Sequence, residues 1–238
     1  LTTHKQPVSN NIRCLFLGFV LLVGLIAQDK VLGQIQVNQL RQSIVKITST
    51  AQGVRKTGTG FIVEHGINGT YILTAMHVVS GDKFPQVEFF QAQNTWVEAE
   101  VVQNDRRADL SLLKIRNPTQ IPANITTLIF ASAKLAHDNE ELITIGFPAG
   151  GGPWAIVRVI ISSRQGTEIF LSGPIDEGNS GGPVFRDGKV IGLITERQSG
   201  NFSLATPSDI ITMVLEGWRI DSNWNGVVGS FPAACCIL

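Results

Sequence analysis

From residue 43 onward the apolar positions fall in short runs of strand length, separated by Gly, Asn, Asp and Pro. The first set comprises Ser43–Thr48, Gly60–Val63, Tyr71–Thr74, Val87–Phe90, Trp96–Val102 and Leu110–Ile115. Trp96–Val102 alternates between apolar and polar positions, the mark of a half-buried antiparallel strand. A stretch rich in Asn, Pro and Gln, Arg116–Asn124, then reads as a boundary. Beyond it lie Thr127–Phe130, Leu142–Ile145, Trp154–Ile161, Glu168–Leu171, Val190–Thr195 and Phe202–Thr206. Only Ser208–Leu215 has a helical pattern of any length, with Ser208 a fitting N-cap and Gly217 a fitting stop. Two batches of about six strands joined by a linker predict an all-β chain: two six-stranded antiparallel β-barrels and a short C-terminal helix. The N-barrel is expected over about residues 36–118, the C-barrel over 125–207 and the helix over 208–216, within a domain spanning 34–218.

The N-terminal segment breaks this pattern. Residues 14–27 form an uncharged apolar block preceded by Lys5 and Arg13 and followed by small residues. That order of features describes a secretory signal peptide, with cleavage expected after Ala27 or Gly33. The block is short for a membrane span, which needs about 20 apolar residues, so an uncleaved anchor is the second reading. Residues 1–33 are therefore set apart from the fold, and the chain is expected to be secreted or periplasmic. A membrane partner follows only if this segment is retained.

Composition narrows the function classes. With 43% hydrophobic and 16% charged residues, the chain can bury one large core or two small ones. Its formal net charge is zero and it carries no run of Lys or Arg, which argues against a nucleic-acid partner. Beyond the leader only Cys235 and Cys236 remain, adjacent in the 219–238 tail, so the fold is expected to stand without disulfides. No His, Cys or carboxylate cluster has metal-ligand spacing, and neither metal nor cofactor is expected. Asp221–Gly226 opens like a calcium loop, but Pro232 occupies the twelfth position, where a bidentate Glu is needed; an Asx/Gly turn is the better reading. The final Cys235–Leu238 has the form of a prenylation box, which contradicts an exported chain and is read as coincidence.

Candidate chemistry sits in three places. Gly178–Val184 sets Ser180 between glycines, Thr74–Val79 contains His77, and Ala108–Lys114 contains Asp109. A serine hydroxyl is a poor nucleophile at neutral pH and needs an adjacent base, which in turn needs an orienting carboxylate. Ser180 is the expected nucleophile, His77 the base and Asp109 the orienter. Glycine at Gly178 lets its own N–H and that of Ser180 converge on an oxyanion. His65 and His137 adjoin turn-like residues and are expected to be solvated. Since the base must be neutral, activity is expected to rise with pH as the imidazole loses its proton.

These motifs resemble those of the chymotrypsin-fold serine endopeptidases, and more narrowly the HtrA/Deg-type branch. The likeness covers about residues 36–216 and rests on Gly58–Phe61, Leu73–Val79, Asp105–Leu110, Gly178–Val184, Val190–Thr195 and Leu204–Pro207. It implies Greek-key topology in both barrels, an active site in the crevice between them and polypeptide substrates. Asp109 rather than Asp105 is favoured as orienter because the strand Leu110–Ile115 follows it directly, as in the family. The resemblance also implies that Thr195 helps to hold the catalytic aspartate. Pro174, Ile175, Thr195, Ser203 and Ala205 are expected at the primary specificity pocket. No acidic residue stands at its base, so a small to medium uncharged residue is expected before the cleaved bond. Asp176-Glu177 replaces the Asn-Pro pair of close relatives and is expected either to repel acidic substrates or to face solvent. No PDZ-like domain is expected after the helix. The rival function is a catalytically silent binding module on the same fold.

Overall fold

The computed structural model describes residues 36–197 and 202–220. The leader, the Asp221–Gly226 turn and the Cys235–Leu238 tail lie outside the described residues. Among those described, the chain is mostly β, and the strands form two sheets.

The first sheet contains β1 (Ile44–Ala51), β2 (Val54–Gly66), β3 (Gly69–Ala75), β4 (Gln86–Phe89), β5 (Trp96–Glu98), β6 (Glu100–Asp105) and β7 (Leu110–Ile115). Its order is β5-β4-β1-β2-β3-β7-β6, all antiparallel. The single strand expected over Trp96–Val102 is thus divided at Ala99. Before it, Val97 pairs with Val87 on β4; after it, Val101 pairs with Leu113 on β7. The seventh strand is therefore a bend in the sixth. Because β5 and β6 are successive segments of one run, the two edges of the sheet meet there. With β5 and β6 counted as one bent strand, this sheet is the expected six-stranded first half.

The second sheet contains β8 (Glu141–Gly146), β9 (Ala155–Gln165), β10 (Glu168–Ser172), β11 (Pro183–Arg186), β12 (Lys189–Arg197) and β13 (Phe202–Pro207). It closes as a barrel in the order β10-β13-β12-β11-β8-β9. Its sixth strand is not the expected Thr127–Phe130, which forms only one parallel bridge, from Phe130 to Val190. That segment instead joins the halves: the Leu128 N–H donates to Ile62 O on β2, and the Val190 N–H donates to Ile129 O. β11 takes the sixth place, immediately after the glycines that follow Ser180.

Burial follows from position in these sheets. Along β9, Val157, Val159 and Ile161 point inward while Ile156, Arg158 and Ile160 face out, the alternation of a strand with one wet face. They pack with Leu142, Ile169, Leu171, Val184, Ile191, Ile194 and Ala205 in one core. In β3 and β7, by contrast, consecutive residues such as Ile72 and Leu73, or Leu112 and Leu113, are all buried. Such runs need cover on both faces.

Trp154 ties the two sheets together. Expected as the first residue of a strand, it precedes β9 with φ +52° and is 1% exposed. Its Nε1 donates to Ile44 O on β1 at 2.8 Å, and its ring meets Phe147 and Phe90 edge-on. The one long helix described, Ser208–Gly217, starts from Pro207 without a side-chain cap. Ser208 is not the N-cap: its hydroxyl donates to Ala131 O and accepts from the Ala133 N–H, binding helix to linker. Gly217 lies within the helix, which ends at Trp218.

Candidate active site

The register of β3 and β7 brings the first two residues of the site together. Ala75 and Leu110 are the last partners in that ladder. His77 follows Ala75 by two residues, on the one-turn helix α1 (Met76–Val79), and Asp109 directly precedes Leu110. Both therefore leave the same end of the sheet. The Asp109 carboxylate takes two bonds from one residue: the His77 backbone N–H reaches Oδ1 at 3.0 Å, and Nδ1 reaches Oδ2 at 2.7 Å. The Met76 N–H donates to Asp109 O at 2.9 Å. This grip holds the imidazole by both its backbone and its ring, leaving Nε2 for chemistry.

Asp109 adopts φ +51°. A left-handed conformation costs a non-glycine residue on the order of 1 kcal/mol, and such outliers gather at functional sites. The preceding turn supports it. Asp105 Oδ1 accepts the N–H groups of Arg107 and Ala108, so Asp105 is a turn residue, and the carboxylate that meets the His77 ring is that of Asp109. His65 is exposed near the end of β2, where its Nδ1 pairs with Thr70 Oγ1 at 2.8 Å, and His137 is exposed just before a turn; neither lines the cleft.

Ser180 comes from the second half, on the loop between β10 and β11. First-sheet threonines anchor that loop. The Thr59 N–H donates to Ser180 O at 2.8 Å, and its hydroxyl donates to Gly178 O at 2.6 Å. The Thr74 hydroxyl in turn donates to Thr59 O at 2.7 Å. Thr59 and Thr74 were visible in the sequence as members of motifs, but nothing local marked them as supports. Gly178 (φ +93°) has no room for a Cβ, which would strike Phe147 O; one at Gly181 (φ +82°) would strike Thr59 O. Among the described residues neither the Gly178 nor the Ser180 N–H has a hydrogen-bond acceptor. They are the pair expected at an oxyanion.

His77 and Ser180 line one open cleft of about 880 Å³. Its walls include Arg55 and Lys56 on β2, Trp96 on β5, Phe147, Trp154 and Glu177. No hydrogen bond joins the Ser180 hydroxyl to the His77 imidazole, although both residues border this cleft.

The expected specificity residues lie elsewhere. Ile175 and Ala205 are packed into the second core, Ser203 and Thr195 are buried on β13 and β12, and Pro174 is exposed. None of the five borders the cleft. Nor does Thr195 reach Asp109, since its hydroxyl faces Leu204 O at 3.4 Å. The comparable support comes from Thr206, whose hydroxyl donates to Ala108 O, the carbonyl before Asp109, at 2.9 Å. Glu177 is exposed at the cleft's edge, and its N–H donates to Asp176 Oδ1. Among the described residues no three His, Cys, Asp or Glu side chains gather as metal ligands.

Known proteins resemble this chain in sequence and fold. A family model, the trypsin-like peptidase domain, matches residues 58–193. The chain is 31% identical over 212 residues to a probable periplasmic serine endoprotease DegP-like of Rickettsia conorii, covering 82% of this chain and 40% of that protein. It is 29% identical over 172 residues to serine protease HTRA1 of Xenopus tropicalis, covering 67% and 35% respectively. The chain thus spans about two fifths or less of these curated relatives. The active form of the Rv3671c protease from M. tuberculosis has the same fold, with TM-score 0.64, 23% identity, and coverage of 79% of this chain and 84% of that one. The chain belongs to the trypsin-like peptidase family and has its double-barrel fold, with HtrA/DegP serine proteases among its relatives.

Proposed function

We propose that this chain is a serine endopeptidase in which Ser180, His77 and Asp109 form the catalytic triad. The observation that carries the reading is the pair of hydrogen bonds that His77 donates to the Asp109 carboxylate, which commits Nδ1 as a donor and leaves a basic Nε2 for the cleft His77 shares with Ser180. Nε2 removes the hydroxyl proton as Ser180 Oγ attacks the peptide carbonyl. The N–H groups of Gly178 and Ser180 hold the oxyanion. On collapse the C–N bond breaks, and His77 delivers its proton to the departing amine. Water then attacks the ester carbonyl, His77 takes one of its protons, and a carboxylic acid leaves with Ser180 restored.

Substrates are polypeptides, cut after a small to medium uncharged residue. The support is the sequence before Ser180: the family resemblance puts Pro174 at the base of the specificity pocket with Ile175 next to it, and neither is an acid that could bind Lys or Arg. Export from the cytoplasm is part of the same reading. It rests on the apolar 14–27 block with its basic flank, and a DegP-like relative is described as periplasmic.

The test is labelling with a fluorophosphonate, which esterifies an activated serine. Wild type should label, and Ser180→Ala should not. Absence of label on wild type, or equal label on the variant, ends the proposal. Peptide binding without label would identify the silent binding module instead.

A further inference from the structure

The cleft beside Ser180 has charge of its own. Arg55 and Lys56 stand next to each other on β2, both exposed, and among the described residues neither has a carboxylate in ion-pair range. Arg55 lies over the Trp96 ring, 5.9 Å from its centroid, and Lys46 lies 5.2 Å from the same ring. Lys46 is already matched, since Glu88 stands 3.8 Å away. Glu88 is itself buried and accepts the Asn94 N–H, so its charge is spent inside the wall. Lys56 Nζ donates to the His77 carbonyl at 3.5 Å, setting an ammonium beside the catalytic base. The remaining acid at the cleft, Glu177, belongs to the opposite wall, next to Gly178. An extended peptide crossing Ser180 thus meets unmatched positive charge on the β2 side and negative charge on the other.

We propose that Arg55 and Lys56 make this cleft a subsite for acidic side chains on the leaving-amine side of the scissile bond, with Trp96 as its apolar floor. The proposal rests on the endopeptidase reading for its direction. The oxyanion donors Gly178 and Ser180 come from the second half, whereas the departing amine takes its proton from His77, whose carbonyl accepts from Lys56 at 3.5 Å. The segment beyond that amine runs along β2. A carboxylate there gains two exposed cations and faces no desolvated rival. Each exposed pair contributes modestly, so together they give roughly a three- to tenfold preference, weakened by salt.

Two C-terminally amidated fluorogenic peptides test this, identical except for Asp-Glu or Ala-Ala at the second and third positions after the scissile bond. Amidation leaves the side chains as the only carboxylates in that segment. For wild type the kcat/KM ratio of acidic to neutral peptide should be about three to ten at low salt and approach one near ~1 M salt. In the Arg55→Glu/Lys56→Glu variant the ratio should fall below one. Because the ratio is read within each protein, any overall change in rate cancels. The same pair is measured for binding to Ser180→Ala by fluorescence anisotropy. A wild-type ratio near one, or one unmoved by charge reversal, overturns the subsite while the endopeptidase stands. If neither peptide is cut yet the acidic one binds Ser180→Ala more tightly through Arg55 and Lys56, the charge assignment survives and the catalytic reading falls.

Discussion

The two sheets share one pairing scheme. If β5 and β6 are taken as a single bent strand, each sheet pairs its first strand with its second, its second with its third, its fourth with its first and fifth, and its sixth with its third and fifth. What differs is how each ring is completed. The second closes directly, whereas the first is completed by a run that turns at Ala99 from β4 to β7. They also divide the proposed site. The first presents His77 and Asp109, the proposed base and orienter, at one end of a single ladder, β3 with β7, so their approach follows from local register. The second presents Ser180, the proposed nucleophile, on a loop whose position depends on bonds from the other sheet. A triad split this way needs two kinds of support: rigid register for the His77–Asp109 pair, and inter-sheet anchors for Ser180.

The sharpest way to break the first kind is Asp109→Asn, which keeps shape but cannot accept the ring proton in the same way. Labelling rate or kcat should fall by about 10⁴-fold with the fold intact by circular dichroism. The second kind of support is probed most strongly by Trp154→Ala, which removes a buried ring and its bond to Ile44 O. Stability should fall by about 3–5 kcal/mol in denaturant unfolding. Thr59→Val is isosteric and leaves Gly178 O without its donor. It should cost about 1–3 kcal/mol of stability and lower kcat more than it raises KM, whereas a wholly structural role for Thr59 would leave kcat unmoved.

Thr206→Val and Thr195→Val separate the two candidate supports of the aspartate. Only Thr206 reaches the Ala108 carbonyl, so Thr206→Val should slow turnover roughly five- to tenfold, in line with about 1 kcal/mol for one hydrogen bond. Thr195→Val should leave turnover close to wild type; the reverse order would restore the role that the family resemblance assigned to Thr195.

The smallest expected effect lies in the second barrel, away from the site. Burial pushes the Glu140 carboxyl up, but the His137 N–H and the Arg186 guanidinium at 2.6 Å outweigh it and hold the group below the ordinary value of 4.5. A depressed carboxylate stabilises the fold above its unfolded pKa, and that contribution is lost as pH falls through the lower folded value. Glu140→Gln should therefore flatten the loss of stability below about pH 4.5, by on the order of 0.5–1 kcal/mol for a partly exposed pair. An unchanged acid limb in thermal melts would rule out this contribution.

Much of this molecule was determined by sequence alone. Strand-length apolar runs and the order of His77, Asp109 and Ser180 along the chain are legible in local spacing and turn chemistry. The strand Leu110–Ile115 directly after Asp109 points to Asp105 as a turn residue, and Asp105 Oδ1 accepts the Arg107 and Ala108 N–H groups. Tertiary structure decided what depends on distant partners. Thr127–Phe130 has the letters of a strand, but its neighbours are β2 and β12, so it became a seam between the halves; β11 was hidden because it is short and follows a glycine turn. Ser208 looks like a cap until Ala131 and Ala133 claim its hydroxyl. Thr59, Thr74 and Thr206 have nothing local to distinguish them from other strand threonines, and only the fold shows that the hydroxyl reaching the Ala108 carbonyl is that of Thr206. The reason is the same in each case. Periodicity and turn propensity are encoded within a few residues, whereas the partner of a hydrogen bond across two sheets is chosen only when both sheets exist.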